Sequence, residues 1–212
     1  MSETSVMIPI GNLSLEALFD PCNGVDAAVI CHPHPLYGGS MENNVVSALQ
    51  KALRDRGLGT LRFNFRGVGG SSGQHRGAQQ DAEDLLVVCR YVEQQGAKNL
   101  YLAGYSYGAW VGLKAMKQSL QPDTVILISP PLDFLDFRGL TPPSCSCLIT
   151  VGDQDDFCAV ESLKEWLTGT PESQHPALVE ILPHCDHFYW GNESLLATKL
   201  ASFLRQNVPA AK

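Results

Sequence analysis

The sequence predicts an α/β protein in which helices cover both faces of a mostly parallel β-sheet. Short strand-like runs alternate with segments of helical period along most of the chain, a pattern typical of such a sheet. One run, 124–129 (TVILIS), is nearly continuously apolar and rich in β-branched residues, as expected for a central strand buried on both faces. The 212 residues show no repeat and no interdomain linker, so we expect a single domain, residues 1–212.

The predicted elements follow from the start of the chain. Residues 5–10 and 13–19 are strand-like and flank Gly11 and Asn12, a pattern that predicts an antiparallel hairpin. Later strands and helices are distinguished by the period of their apolar residues. The remaining predicted strands are 27–31, 59–65, 100–103, 124–129, 147–151 and 177–182, and the predicted helices are 42–56, 79–95, the segment after Gly108, 160–167 and 193–206. The irregular segment 130–144 is too short for a large cap domain, so we expect an open site.

Composition and charge exclude several classes of protein. A hydrophobic content of 44% with 17% charged residues is ordinary for a globular domain. The net charge of −7, without any run of Lys and Arg, argues against nucleic-acid binding. The first residues lack the pattern of a secretion signal, and no apolar stretch is long enough to span a bilayer, so the sequence predicts a soluble, cytoplasmic protein without a membrane partner. It does not distinguish a monomer from a homodimer.

A Gly-Xaa-Ser-Xaa-Gly pentapeptide, Gly104 to Gly108, is the strongest chemical signal in the chain. An apolar run precedes it and a segment of helical period follows, so its context is strand, sharp turn and helix. This arrangement exposes Ser106 at the carboxyl end of a strand as a candidate nucleophile, and it puts the amide of Tyr107 at a helix N-terminus, where developing negative charge is stabilised. The alternative is a glycine-rich turn whose serine only caps the helix.

A serine nucleophile needs a base, and the base needs a carboxylate to orient it. The predicted strand 147–151 runs into the sequence GDQDD, which supplies Asp153, Asp155 and Asp156 at the sheet edge where ligand sites gather. The last predicted strand is followed by PHCDHFYW, which supplies His184 and His187. The residues alone leave both choices open.

A second oxyanion donor is expected in the loop HPHPLYGGS, which follows the strand 27–31. Pro33 and Pro35 have no N–H group, so the available amides are those of Leu36 and Tyr37. Of these two, we predict Leu36.

The sequence resembles the α/β-hydrolase superfamily, and more closely a group of small lidless serine hydrolases of the dienelactone-hydrolase or esterase type. Five motifs occur in the order of that group: HPHPLYGG, RFNFRGVGGSSG, GYSYG, a GDxD loop and a late HF. The resemblance implies an α/β-hydrolase fold without a large cap, with Asp155 as the acid and His187 as the base. The sequence departs from the group at Asp156, where a small or apolar residue is common.

The resemblance also implies that Asn64, Arg66 and Gly67 shape the loop beside the site. We favour a purely structural interpretation of these residues, in which they form a buried, hydrogen-bonded turn and Arg66 pairs with Asp81 or Asp84.

The leading hypothesis is therefore a serine hydrolase that cleaves a small-molecule ester, thioester or amide through an acyl-enzyme. No cofactor and no metal are expected. A metal-dependent hydrolase is the weaker alternative, since His32 and His34 form an HxH pair and His184, Asp186 and His187 form a second cluster. A non-catalytic binding or scaffold protein on the same fold is another.

Cysteine chemistry is not predicted. The chain has seven cysteines, an odd number, and no export signal, so free thiols are expected rather than disulfides. No cysteine occupies the pentapeptide, and Cys158 and Cys185 are interpreted as bystanders near the site.

Overall fold

The computed structural model describes residues 3–21, 25–169 and 176–207 and shows the predicted α/β architecture. The strands are β1 (Thr4–Ile10), β2 (Leu13–Asp20), β3 (Asp26–Cys31), β4 (Gly59–Phe63), β5 (Asn99–Tyr105), β6 (Thr124–Ile128), β7 (Ser146–Gly152) and β8 (Ala177–Leu182). The helices are α1 (Asn44–Asp55), α2 (Ala78–Gln94), α3 (Tyr107–Gln118), α4 (Val160–Thr168) and α5 (Glu193–Asn207), with a short 3₁₀ turn at Pro35–Tyr37. The described strands form one sheet of order β1-β2-β4-β3-β5-β6-β7-β8.

The predicted N-terminal hairpin forms one edge of the sheet. β1 and β2 pair antiparallel along their length, from Thr4 opposite Phe19 to Ile10 opposite Leu13. β2 pairs antiparallel with β4 as well, whereas every neighbouring pair from β4 across to β8 is parallel. All the parallel strands therefore end at the same edge of the sheet.

Most element boundaries lie within two residues of the sequence prediction, and two of the differences have identifiable reasons. β4 ends at Phe63 rather than at residue 65, because the amide of Phe65 turns away and donates to the ring of His32. α1 begins at Asn44 rather than at residue 42, because the Asn43 side chain accepts a hydrogen bond from the Val45 amide and caps the helix there.

The sheet has a hydrophobic core on each face, which explains the continuous apolar runs of the central strands. Val29 and Leu127 pack on one face with α2, α3 and α4, whereas Ile30 and Ile126 pack on the other with α1 and α5. Since successive side chains of a strand point to opposite faces, a strand covered on both sides has no solvent-facing position. No helix in the parts of the chain that the structure describes is long and apolar enough to cross a membrane.

The carboxyl edge of the parallel strands is left open. The loops that follow β3, β5, β7 and β8 start side by side there, since Cys31 pairs with Gly104 and Gly152 pairs with Leu182. The segment between β6 and β7, residues 129–145, contains no helix or strand, and so it forms no large cap over this edge.

Candidate active site

Ser106 occupies a strained turn between β5 and α3. Its backbone angles, φ 53° and ψ −118°, lie in a region that residues with a side chain rarely adopt. A Cβ atom at Gly104 would lie 2.6 Å from the Ala109 nitrogen, and one at Gly108 would lie 2.4 Å from the Cys31 carbonyl oxygen. Glycine is required at both positions because the chain passes this close to its neighbours. The turn lifts the Ser106 hydroxyl above the sheet.

The loops after β7 and β8 bring an acid and a histidine to this serine. His187 Nε2 lies 2.9 Å from Ser106 Oγ, and His187 Nδ1 lies 2.9 Å from each carboxylate oxygen of Asp155. Asp155 and His187 are each only 6% exposed. The structure therefore joins three of the predicted site residues in one hydrogen-bonded chain.

Backbone amides hold the Asp155 carboxylate in place, in addition to its contact with His187. Its Oδ1 accepts hydrogen bonds from the amides of Phe157 (2.9 Å) and Cys158 (3.0 Å). Asp153 and Asp156, which the sequence left as alternatives, are exposed, and Asp153 accepts only a long bond from the Cys185 amide (3.4 Å). Of the three aspartates in the loop, only Asp155 contacts the histidine.

His187 is fixed by contacts that the sequence analysis did not identify. The hydroxyl of Tyr105 donates to the His187 carbonyl oxygen at 2.7 Å, and the Phe157 ring centre lies 4.6 Å from that of His187. Burial and the nearby Asp155 charge raise the pKa of Tyr105, so its hydroxyl remains a donor. By contrast, His184 is exposed, with a φ of 55°.

His32 stabilises the loop after β3, which faces Ser106, through hydrogen bonds from its ring. Its Nδ1 donates to the Pro33 carbonyl oxygen at 2.6 Å, and its Nε2 accepts from the Phe65 amide at 3.0 Å. Both ring nitrogens are therefore engaged, and burial lowers the pKa of His32 to about 4. This histidine shapes the loop and offers no free nitrogen to a metal ion.

The neutral state of His32 should make stability depend on pH. Folding lowers the pKa of His32. The contribution of the neutral ring to stability is therefore complete above about pH 6.5 and is lost as the pH falls towards 4. Urea unfolding at pH 7 and at pH 5 measures this effect. Between the two pH values, the free energy of unfolding of the unaltered protein should fall by about 2 kcal/mol more than that of His32→Gln, because glutamine cannot titrate. Equal losses would contradict the prediction, and so would an NMR titration of His32 near its ordinary pKa.

The predicted donor Leu36 is not brought to the site. Its side chain is 73% exposed, and its amide donates to His34 Nδ1 at 3.2 Å. The amide of Tyr37 donates to the His34 carbonyl oxygen within the same turn. The amides of His34 and Tyr107, in contrast, have no acceptor among the described residues, and both residues line the cavity over Ser106. His34 lies between the two prolines, Pro33 and Pro35, whereas the predicted donors, Leu36 and Tyr37, both follow the second proline.

The residues implied by resemblance lie behind this loop. Asn64 accepts from the Met41 amide at 2.8 Å and donates to Glu16 at 2.7 Å. Arg66 pairs with Asp84, with Nε 2.6 Å from Oδ2, and not with Asp81. None of these side chains lines the cavity, so they support the structural interpretation.

Asp81 instead anchors Tyr107, the residue after the serine. The Tyr107 hydroxyl donates to Asp81 Oδ2 at 2.5 Å, and His75 Nδ1 lies 3.0 Å from the same oxygen. Burial raises the pKa of both Asp81 and Tyr107. The first turn of α3 is thereby tied to α2.

Tyr107→Phe should lower the free energy of unfolding by about 2 kcal/mol, because it leaves a buried carboxylate without its strongest donor. Urea unfolding measures the loss, and the double variant with Asp81→Asn separates the hydrogen bond from packing of the ring. A loss below about 0.5 kcal/mol would show that Asp81 is satisfied without the tyrosine.

The cavity over Ser106 has a volume of about 460 Å³. It lies between the loops after β3, β5, β6, β7 and β8. Its lining consists of Pro33, His34, Tyr37, Gly38, Gly39, Asn43, Tyr105, Ser106, Tyr107, Pro131, Phe134, Leu135, Phe157, His187 and Phe188.

The possible metal ligands and the cysteine thiols were the other chemical groups that the sequence offered. Within them, no three His, Cys, Asp or Glu side chains are grouped so that they could hold a metal ion. Burial raises the pKa of Cys158 to about 12 and that of Cys185 to about 11, so both are protonated thiols at neutral pH. The six described cysteines are free, and Cys22 lies outside the described residues.

The chain is similar to known proteins in sequence and in fold. Residues 28–144 match the model of the alpha/beta hydrolase family. An uncharacterized protein of Rickettsia prowazekii is 31% identical over 169 residues, which are 76% of this chain and 71% of that protein. Among solved structures, an alpha-beta serine hydrolase homologue from Coxiella burnetii has a TM-score of 0.87 and 34% identity, with 96% of this chain and 98% of that one covered. A lidless a/b serine hydrolase from Xanthomonas campestris has a TM-score of 0.90 and 31% identity, with coverage of 100% and 98%.

Proposed function

Since this chain belongs to the alpha/beta hydrolase family, we propose that it is a serine hydrolase that cleaves a small carboxylic ester through an acyl-enzyme. A thioester or amide would react by the same steps. The observation that carries the proposal is the unbroken chain of hydrogen bonds from Asp155 through His187 to Ser106.

In the first half of the reaction, His187 Nε2 takes the hydroxyl proton of Ser106 while Oγ attacks the carbonyl carbon. The carbonyl oxygen becomes an oxyanion, and the amides of Tyr107 and His34 stabilise it. The Asp155 carboxylate accepts the hydrogen bond from Nδ1–H, remains ionised and stabilises the imidazolium. His187 then gives the proton from Nε2 to the leaving alcohol oxygen as the carbon–oxygen bond breaks, which leaves an acyl group on Ser106.

In the second half, water replaces the alcohol. His187 Nε2 takes a proton from the water, whose oxygen attacks the acyl carbon, and the same two amides hold the second oxyanion. Collapse of the intermediate returns the proton to Ser106 Oγ and releases the carboxylic acid. The cavity is open to solvent at the mouth, so water has access to the acyl-enzyme.

Product partitioning tests this pathway. The phenyl and p-nitrophenyl esters of one acid serve as the two substrates, and added methanol competes with water for the acyl-enzyme. A common acyl-enzyme predicts the same ratio of methyl ester to free acid from both substrates, since the leaving group has departed before the ratio is set. A ratio that differs between leaving groups would contradict an acyl-enzyme, and chelator-sensitive hydrolysis would favour a metal-dependent hydrolase. Complete absence of hydrolysis would favour the scaffold alternative.

A further inference from the structure

The wall of the cavity carries a continuous row of aromatic rings. Tyr37, Phe134, Phe157 and Phe188 form this aromatic row, with ring centres separated by 6.3, 5.3 and 6.3 Å in that order. They come from four different loops, and Tyr37, Phe134 and Phe188 are 75%, 51% and 51% exposed. Single exposed aromatic side chains are ordinary, but four that converge on one cavity form a binding surface.

The described residues that line the cavity include no Lys, Arg, Asp or Glu. Two carboxylates that flank lining residues in the sequence already accept hydrogen bonds from backbone amides, Asp133 from Ala159 and Asp186 from Phe188. Burial and the neighbouring His75 lower the pKa of His34, so this lining side chain is neutral at pH 7. A substrate carboxylate or phosphate would therefore meet no cation in the cavity and would lose hydration on entry.

The reaction geometry assigns a place to each part of the ester. Three groups surround the reacting carbon besides Ser106 Oγ. The oxyanion lies towards the amides of His34 and Tyr107, and the leaving oxygen lies beside His187 Nε2, since each must reach its hydrogen-bond partner. The loops after β3, β5 and β8 already carry the two amides and the base, so the acyl group is assigned to the lining residues of the segment between β6 and β7, which are Pro131, Phe134 and Leu135. We call these three residues the acyl wall.

Resting on the proposed function, we propose that the substrates are esters of uncharged, apolar carboxylic acids, whose acyl groups pack against the acyl wall of Pro131, Phe134 and Leu135. A chain or ring larger than acetyl buries its surface against Phe134 in the transition state, whereas acetyl is too short to do so. The cavity selects against acyl groups that carry a carboxylate, because it offers such a group no partner.

Three p-nitrophenyl esters with one leaving group test the inference: the acetate, the hexanoate and the hemiadipate. The hexanoate and hemiadipate have acyl chains of equal length, and only the hemiadipate ends in a carboxylate. The kcat/KM for the hexanoate should exceed that for the hemiadipate by about 100-fold, as expected for an uncompensated charge, and should exceed that for the acetate by about 10-fold.

Variants of the acyl wall give the second half of the test. Phe134→Ala should lower kcat/KM for the hexanoate by about 10-fold and reduce the preference over the acetate, because the ring no longer covers the chain. Phe134→Lys should raise the hemiadipate relative to the hexanoate. Trp190→Ala is the matched control, since Trp190 is 72% exposed and does not line the cavity, and it should leave all three rates unchanged.

The outcomes separate this inference from the proposed function. If a fluorophosphonate labels Ser106 but the hemiadipate is hydrolysed as well as the hexanoate, or Phe134→Ala leaves the acyl preference unchanged, the substrate class is wrong while the serine hydrolase stands. If Ser106 is not labelled, the proposed function is wrong, and the inferred substrate class is wrong with it.

Discussion

Replacing Ser106 by alanine should lower kcat for ester hydrolysis by about 10⁴-fold or more, since it removes the hydroxyl on which the proposed acyl-enzyme forms. The fold should survive the change. Alanine keeps the Cβ atom that already occupies this turn at φ 53°, and the hydrogen bond from the residue 106 amide to the Ile128 carbonyl oxygen is a backbone contact. Initial rates with a p-nitrophenyl ester and the urea unfolding midpoint measure the two effects.

Ser40→Ala is the control for the Ser106 variant. Ser40 lies in the loop after the 3₁₀ turn and does not line the cavity. Among the described residues, its hydroxyl accepts a hydrogen bond only from the Glu42 amide, at 3.3 Å. It should retain full activity. A Ser106→Ala protein with more than about 1% of the original kcat would mean that another nucleophile or an activated water performs the reaction.

Asp155→Asn should lower kcat by about 10³- to 10⁴-fold, although it changes a single atom. Oδ1 of Asp155 accepts two backbone amides, from Phe157 and Cys158, so an asparagine keeps its oxygen there and turns its NH₂ group towards His187. This NH₂ group takes the position of Oδ2, 2.9 Å from Nδ1, and competes there with Oδ1, so it favours the tautomer in which Nδ1 accepts a hydrogen bond. The histidine proton moves to Nε2, which can no longer accept the proton of Ser106.

Asp156→Asn is the matched control for this variant, since Asp156 is exposed and makes no contact with His187. Its kcat should stay within about two-fold of the original, as for most exposed substitutions. The prediction is contradicted if Asp156→Asn is the more damaging of the two, which would assign the orienting role to the neighbouring aspartate.

Much of the fold could be predicted because local and tertiary preferences agree. The central strand β6 is apolar from Val125 to Ile128 since it is covered on both faces. The pentapeptide Gly104 to Gly108 contains the glycines that its close packing requires. Boundaries shifted where a side chain intervened, as at Phe65, whose amide is taken by His32. Such a contact joins distant parts of the chain and leaves no periodic signal.

The candidate site was predicted less completely, for the same reason. The residues alone did not distinguish Asp155 from its two neighbours, because the distinction depends on which carboxylate two backbone amides hold against His187. Leu36 was predicted as a donor because the two prolines lack an N–H group. The sequence does not show that the Leu36 amide donates to His34 Nδ1 within the turn. The bond between Tyr107 and Asp81 had no sequence signal, since it links α3 to α2.

Fluorophosphonate labelling followed by intact-mass measurement and peptide mapping tests the central claim most directly. The reagent reacts with a serine only where a base and an oxyanion site activate it. The account predicts a single adduct on Ser106 in the folded protein, and no adduct in Ser106→Ala or after unfolding in urea. A folded protein that stays unlabelled, or that carries the adduct on a different residue, would contradict the claim that Asp155, His187 and Ser106 work as one unit.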